Sequence, residues 1–351
     1  MTITQTLRTL SPAANPATMD RAAFAAAATL NVGSIAGMVE DARTLTNQVN
    51  ESDPAAGIKW TSRTSAADNE WVAIAWNGTV FAAIATLGTG NRVMTSPDGI
   101  TWTIRTSAAD NDWQAIAWNG TVFAAVSNTG TGNRVMTSPD GVTWTIRTSA
   151  VDNDWYGIAW NGTVFAAVAT SGTGNRVMTS PDGITWTSRT SAADNQWFGI
   201  AWNGTVFAAV AQTGAGNRVM TSPDGITWTI RTSAADNAWV AIAWNGTVFA
   251  AVAQTGTGNR VMTSPDGITW TSRTSADNGW TAIAWNGTVF AAVAKSGTGN
   301  RVMTSPDGIT WTSRTSAVDN DWYGIAWNGT VFAAVAISGL SNRVMTTISM
   351  Y

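Results

Sequence analysis

The side chains of this chain that can do acid–base, nucleophilic or recognition chemistry arrive in sets of seven. Histidine and cysteine are both absent from its 351 residues, which removes the commonest general base, the commonest zinc ligand and any thiolate or disulfide. Fourteen of the nineteen basic residues are arginines in two series, Arg63, Arg105, Arg147, Arg189, Arg231, Arg273, Arg314 and Arg92, Arg134, Arg176, Arg218, Arg260, Arg301, Arg343. Aspartates at Asp68, Asp110, Asp152, Asp194, Asp236, Asp277 and Asp319 keep step with them. Two readings stand: a crown that binds anions, or arginine–aspartate pairs that join neighbouring repeats. Glycoside hydrolysis needs two carboxylates in unlike environments, whereas strict repetition gives every aspartate the same one. Glu70 is the sole glutamate after residue 56, and the tyrosines are Tyr156, Tyr323 and Tyr351. The expectation is therefore no enzymatic activity, no catalytic residue, no cofactor and no metal site.

Differences between the repeats mark candidate binding residues. The position before one recurring tryptophan reads Glu70, Asp112, Asp154, Gln196, Ala238, Gly279, Asp321, and the position after it reads Val72, Gln114, Tyr156, Phe198, Val240, Thr281, Tyr323. A third variable position reads Thr86, Asn128, Thr170, Gln212, Gln254, Lys295, Ile337. From these the candidate ligand-binding set is Glu70, Val72, Asp112, Gln114, Asp154, Tyr156, Gln196, Phe198, Tyr323, Asn128, Gln212, Gln254 and Lys295. Aromatic rings stack on sugar C–H faces and amides bond hydroxyls, so the set suits carbohydrate. Neutral drift of a relaxed surface would leave the same pattern.

The elements that position these residues follow from three tryptophan rings that account for all 21 tryptophans. Trp60, Trp102, Trp144, Trp186, Trp228, Trp270 and Trp311 recur every 42 residues, with a last step of 41. Rings beginning at Trp71 and Trp76 run in parallel. Within one unit, Trp71 to Trp76 alternates like an inner strand, and Asn77-Gly78 supplies the two positive-φ residues of a type I′ hairpin. A second strand is expected over Thr79 to Ala85, a third over Arg92 to Thr95, and a fourth over Ile100 to Thr106 after the turn Ser96-Pro97-Asp98-Gly99. Four short strands at a period near 40 residues make a β-propeller. The last unit lacks its fourth strand, and Gly57 to Arg63 at the front supplies it. The fold class is all-β: a seven-bladed propeller of four-stranded blades, closed by strand exchange in blade seven, after a short α-helical N-terminal segment. The domains are residues 1–56 and 57–351. In such a blade the loops carrying the three variable positions share one face, and the near-invariant Asn-Gly and Ser-Pro-Asp-Gly turns share the other.

The Ser-Pro-Asp-Gly-Ile-Thr-Trp stretch at Ser96, with copies at Ser138, Ser180, Ser222, Ser264 and Ser305, resembles the Asp-box of sialidase-type propellers, shortened by one residue. That resemblance implies a folding role, with Asp98 capping its turn and Trp102 packing inward, away from any catalytic centre. The sialidase catalytic set has no counterpart here. In residues 1–56, the run Pro16-Ala17-Thr18-Met19-Asp20-Arg21-Ala22-Ala23-Phe24, with Val39-Glu40-Asp41-Ala42 and Thr46-Asn47-Gln48-Val49-Asn50, resembles an N-terminal helical segment of bacteriophage tail and tail-fibre proteins. Ile35, Met38, Ala42, Leu45 and Val49 carry a two-heptad a/d pattern. The helix either packs on its own propeller or forms an oligomerisation stalk.

The formal charge of −3 argues against nucleic acid as partner. Met1 to Asn15 has no apolar core, and nothing approaches about 18 unbroken apolar residues. Neither a signal peptide nor membrane insertion is expected. The leading expectation is a phage tail adhesin, assembled in the host cytoplasm and located in the virion. Its propeller would bind host surface glycan or an envelope component, and its N-terminal segment would join other tail proteins as a homo-oligomer, a trimer favoured. The alternatives are a structural virion or scaffold protein that binds protein, and a bacterial propeller lectin unrelated to phage.

Overall fold

In the computed structural model, residues 59–347 are described, and they form 28 strands, β1 to β28 in chain order. The first blade shows the pattern: β2 (Trp71–Trp76), β3 (Phe81–Ala85), β4 (Val93–Ser96) and β5 (Thr103–Arg105) form one antiparallel sheet in sequence order. Blades two to six repeat it. Blade seven is built from β26 (Trp322–Trp327), β27 (Phe332–Ala336) and β28 (Val344–Thr347), completed by β1 (Trp60–Arg63). β1 pairs antiparallel with β28, from Trp60 opposite Thr347 to Arg63 opposite Val344. The inner strands touch in sequence around the axis, and β26 meets β2, so the ring is closed. The expected N-terminal helix and its heptads lie outside the described residues. Among the described residues no helix is long and apolar enough to cross a membrane.

Composition explains the packing between blades. β3 reads Phe-Ala-Ala-Ile-Ala and is buried throughout, so alanines on both sheet faces let neighbouring blades approach. Trp71 and its six copies fill the wedge that remains and are 0% exposed. Each core therefore belongs to an interface: Ala166, Val168 and Val177 of blade three pack with Trp197, Phe207, Met220 and Trp228 of blade four. The same layer joins Val335 and Val344 of blade seven to Trp71 and Phe81 of blade one.

Two local expectations are corrected. The inner strand does not alternate strictly, because its register shifts between Trp71 and Ala73. That β-bulge leaves Val72 unpaired and puts Trp71 and Ile74, three residues apart, on the buried side. The Asn-Gly turn is not type I′ either. Gly78 has φ 100° while Asn77 stays at negative φ, because Asn77 Oδ1 accepts from the N–H groups of Thr79 at 2.9 Å and Val80 at 2.7 Å. The hairpin loop thus runs over residues 77–80, and the second strand begins at Phe81 rather than Thr79. The third strand is Val93–Ser96 and the fourth is cut to Thr103–Arg105.

On this same face the Ser-Pro-Asp-Gly turn is tied by its own side chains. Asp98 Oδ1 accepts from Ile100 N–H at 2.8 Å and Thr101 N–H at 3.0 Å, Ser96 Oγ accepts from Gly99 N–H at 2.8 Å, and Trp102 Nε1 donates to Gly99 O at 2.9 Å. The Thr143 N–H is the largest influence on Asp140 and holds its carboxyl below the ordinary range; burial opposes it, and Val142 N–H and the Ser138 hydroxyl add to it. At Asp98 burial is the largest influence and raises the value, but the combined hydrogen bonds outweigh it. Asp182, Asp224, Asp266 and Asp307 are lowered in the same way.

A carboxyl depressed on folding stabilises the fold above its unfolded value, about 3.9, and that contribution is lost as pH falls through the folded value. Six copies act together, so resistance to urea is expected to decline progressively below pH about 4. Equilibrium melts across that range check it. Asp→Asn at all six turns should flatten the decline, and an unchanged slope in that variant would overturn the assignment.

Candidate functional site: the variable face and the axial mouth

The loops entering each inner strand and those joining second to third strands do share one face. They are held together by arginine. Arg92 Nε donates to Gly88 O at 2.8 Å and its Nη1 donates to Thr86 O, so the side chain staples its own loop. It also reaches the next blade, where its Nε lies 3.9 Å from Asp110 Oδ1. The equivalent pairs span 3.5–3.9 Å around the ring and end at Arg343 with Asp68. The aspartate's stronger contact is to backbone: Asp110 Oδ1 accepts from Gly90 N–H at 2.6 Å. Of the two readings of this series, the geometry is that of joints between blades. The other series does something else. Arg105 Nε donates to Thr95 Oγ1 at 2.8 Å within its own blade, and Arg63 does the same to Thr346 at 2.9 Å across the closure.

This geometry divides the candidate residues. Asp112 and Asp154 accept from the previous blade's arginines, Arg92 Nη1 at 2.7 Å and Arg134 Nη1 at 2.9 Å. Each carboxylate thus joins two blades through Oδ1 while the side chain stays 39% and 43% exposed. Asp321 is held likewise by Arg301 at 2.6 Å. Glu70 differs: its Oε2 accepts from the Thr86 hydroxyl at 2.9 Å. Gln196 is exposed, and Gln212 and Gln254 are half-buried on the loops. Gln254 Oε1 accepts from Lys295 Nζ of the next blade at 2.8 Å, which brings those two together.

Val72, Gln114, Tyr156, Phe198 and Tyr323 all occupy the bulge of their inner strands and are half-buried. Tyr156 and Phe198 meet with ring centroids 4.6 Å apart and planes inclined at 47°. Asn128 Nδ2 donates to the Tyr156 hydroxyl at 3.0 Å. Burial most of all, then Asp321, Glu70 and Tyr156, raises the Tyr323 hydroxyl above its ordinary value. Tyr156 belongs to blade three and Tyr323 to blade seven, on opposite sides of the ring. The variable face thus has an axial mouth with an aromatic and acidic side.

Sequence reasoning missed one group, Gly157, Gly199 and Gly324. Each follows an aromatic bulge residue, in WYG, WFG and WYG, where the other blades carry alanine. A Cβ on Gly157 would lie 2.2 Å from Phe198 O, and one on Gly199 2.8 Å from Ala241 Cα. The signal was present as a coupled pair of substitutions, while its cause is a distance between blades.

No family model matches the chain, and no curated protein matches its sequence. Solved structures match its fold. Virginiamycin B lyase from Staphylococcus aureus superimposes with a TM-score of 0.69 at 11% identity, covering 84% of this chain and all of that one. YCF48 from Cyanidioschyzon merolae gives 0.57 at 16%, covering 83% and 98%. The Cps50 (Swd1) propeller domain of Myceliophteria thermophila gives 0.59 at 14%, covering 84% and 100%. Identities this low carry the fold alone. The sialidase-box and tail-fibre resemblances rest only on the short stretches of residues that carry them.

The lyase match corrects the expectation of no enzymatic activity: the fold is shared with an enzyme, and at 11% identity the likeness shows that shared fold alone. The physical reason is visible in the ring. Repetition equalises the turns, but Tyr156, Tyr323 and Glu70 occupy unlike environments around the axis, so seven similar blades can still frame one unique site.

Proposed function

We propose that the chain is a recognition protein whose variable face binds host cell-surface glycan, carried on a phage tail through residues 1–56. The observation that carries this reading is the concentration of sequence variation on one face. The opposite face repeats Asn-Gly and Ser-Pro-Asp-Gly in nearly every blade. Variable amides and aromatics, set on loops stapled by invariant arginines, are a diversified surface on a rigid frame. Exposed Gln196 and the half-buried Gln114, Gln212 and Gln254 supply donors and acceptors for hydroxyls, and Tyr156, Phe198 and Tyr323 supply ring faces. Repeated weak contacts on a homo-oligomer, a trimer in this reading, raise avidity by ~10²–10⁴ over one site.

The full-length chain is expected to bind isolated host envelope and a subset of an immobilised glycan panel. Replacing Gln212 and Gln254 together by alanine should weaken binding about tenfold, as loss of one or two hydrogen-bond contacts to hydroxyls does, with the melting midpoint unchanged. Absence of binding to envelope and to every glycan at high protein concentration would overturn the proposal.

A second reading, a scaffold that binds protein, rests on the opposite face. There Ile100, Val142, Ile184, Ile226, Ile268 and Ile309 stand 41–48% exposed in a repeated circle. It requires a stoichiometric protein partner that is lost when these residues are changed to serine.

A further inference from the structure

The axial mouth is not sevenfold. The bulge position is aromatic in blades three, four and seven, and only those blades place glycine next. A Cβ on Gly324 would sit 2.9 Å from Ala73 Cα and 3.0 Å from Val72 O, much as Gly157 and Gly199 stand against their own neighbours. The glycines let the strands that carry the rings lie closer to the next blade than an alanine would allow. Ring and close approach therefore occur together, as parts of one local arrangement.

Three observations characterise the mouth. The rings of Tyr156 and Phe198 form a tilted, half-buried pair on the inner strands of adjacent blades, with Tyr323 on the inner strand of a blade across the ring. Glu70 stands immediately before blade one's inner strand, which touches the inner strand of blade seven that carries Tyr323, and it accepts from a threonine hydroxyl rather than from an arginine. Asn128 donates its amide to the Tyr156 hydroxyl, while its buried Oδ1 has no hydrogen-bond partner among the described residues. Ring faces, the Glu70 carboxylate and an unmet acceptor all favour a group that is positively charged and donates hydrogen bonds. Lys295, the nearest lysine in the loops of this face, is already turned to Gln254.

We propose that the axial mouth of the variable face is a single site for a protonated primary amine borne on a sugar, an unacetylated amino sugar, held between Tyr156, Phe198 and Tyr323 with Glu70 as its counter-ion and Asn128 as an acceptor. This rests on the glycan-binding reading above and sharpens it. The outer loops contribute extended contacts, and the axis selects charge.

The test titrates the full-length chain by calorimetry with a glucosamine hexamer, with its fully N-acetylated counterpart and with spermidine. The glucosamine hexamer should bind with one site per propeller and about tenfold more tightly than the acetylated one, the scale of one desolvated cation–π contact. Glu70→Gln, which keeps the size of the side chain and removes its charge, should remove most of that preference. Tyr156→Phe keeps the ring and should retain it in larger part than Tyr156→Ala. Ile226→Ser on the opposite face should leave binding unchanged.

Equal affinity for the two hexamers would overturn the amine assignment and leave the glycan reading standing. Binding to host envelope but to neither hexamer would do the same. Seven sites per propeller would overturn the axial assignment. Tighter binding of spermidine than of the glucosamine hexamer would overturn the sugar as the carrier, and with it the support this site lends to the glycan reading.

Discussion

Deleting residues 1–63 is expected to abolish the single cooperative unfolding transition of the propeller, whereas deleting residues 1–56 leaves it intact. The difference between the two truncations is β1. This strand supplies four residue pairs to β28 and places Trp60, 8% exposed, against Phe332 at a centroid distance of 6.3 Å. Arg63 adds its bond to Thr346 at 2.9 Å. Without them the Val-Met-Thr-Thr edge of β28, fully buried in the closed ring, opens to water with unpaired backbone groups. Losing a buried tryptophan alone costs about 3–5 kcal/mol, a large share of the roughly 5–15 kcal/mol that holds a typical domain together. The damage does not stay local, because blade seven also provides Val331, Ala333, Val335 and Val344 to the core it shares with blade one. Adding a peptide of residues 57–67 should restore the transition in a concentration-dependent way. Identical melting curves for the two truncations would show that closure by strand exchange contributes little.

The ring was legible in the sequence because each tryptophan performs one recurring task. The period gives the blade, and the unpaired halves at the two ends of the array give the closure. What was not legible is what depends on contacts between blades. Asp112 reads as a variable surface carboxylate until Arg92, twenty residues earlier and in the previous blade, is seen 2.7 Å away. Trp-Val-Ala-Ile-Ala-Trp alternates on paper, and nothing in that string announces that Val72 is bulged out of register. The Asn77-Gly78 dipeptide reads as its usual two-residue hairpin, yet the Asn77 side chain captures two backbone N–H groups and makes a longer loop. The axial site was half legible. The substitutions that create it, Tyr156 with Gly157 and Phe198 with Gly199, are plain in the repeats, but their meaning is a cross-blade approach that no single repeat encodes.

That same division of labour between blades sets the second large effect, Trp197→Ala. Trp197 is 0% exposed, donates from Nε1 to Ala193 O at 3.0 Å, and packs on Ala166 and Val168 of the preceding blade as well as on Phe207 and Met220 of its own. Removing the indole leaves a cavity walled by two sheets that neighbours on both sides prevent from collapsing, so the loss should fall near the upper end of about 3–5 kcal/mol. The orphaned Ala193 carbonyl adds about 1 kcal/mol. Trp202→Ala is the internal comparison. Its ring, half-buried at the other end of the strand and tilted on Phe207 at 4.8 Å, should cost about 1–2 kcal/mol, since part of its surface is already in water. Urea denaturation of both variants measures the contrast, and a smaller loss at Trp197 than at Trp202 would refute the wedge. The core layers also predict how such changes combine. Trp113 and Trp197 belong to layers with no residue in common, so Trp113→Ala and Trp197→Ala should add within about 0.5 kcal/mol. Trp155 and Trp197 pack on opposite faces of one strand, through Ala167 on one side and Ala166 and Val168 on the other. A cavity on each side frees that strand to shift, so this pair should cost measurably less than the sum of its singles. Strict additivity there would mean that the blades are rigid plates rather than elements held in place by their neighbours.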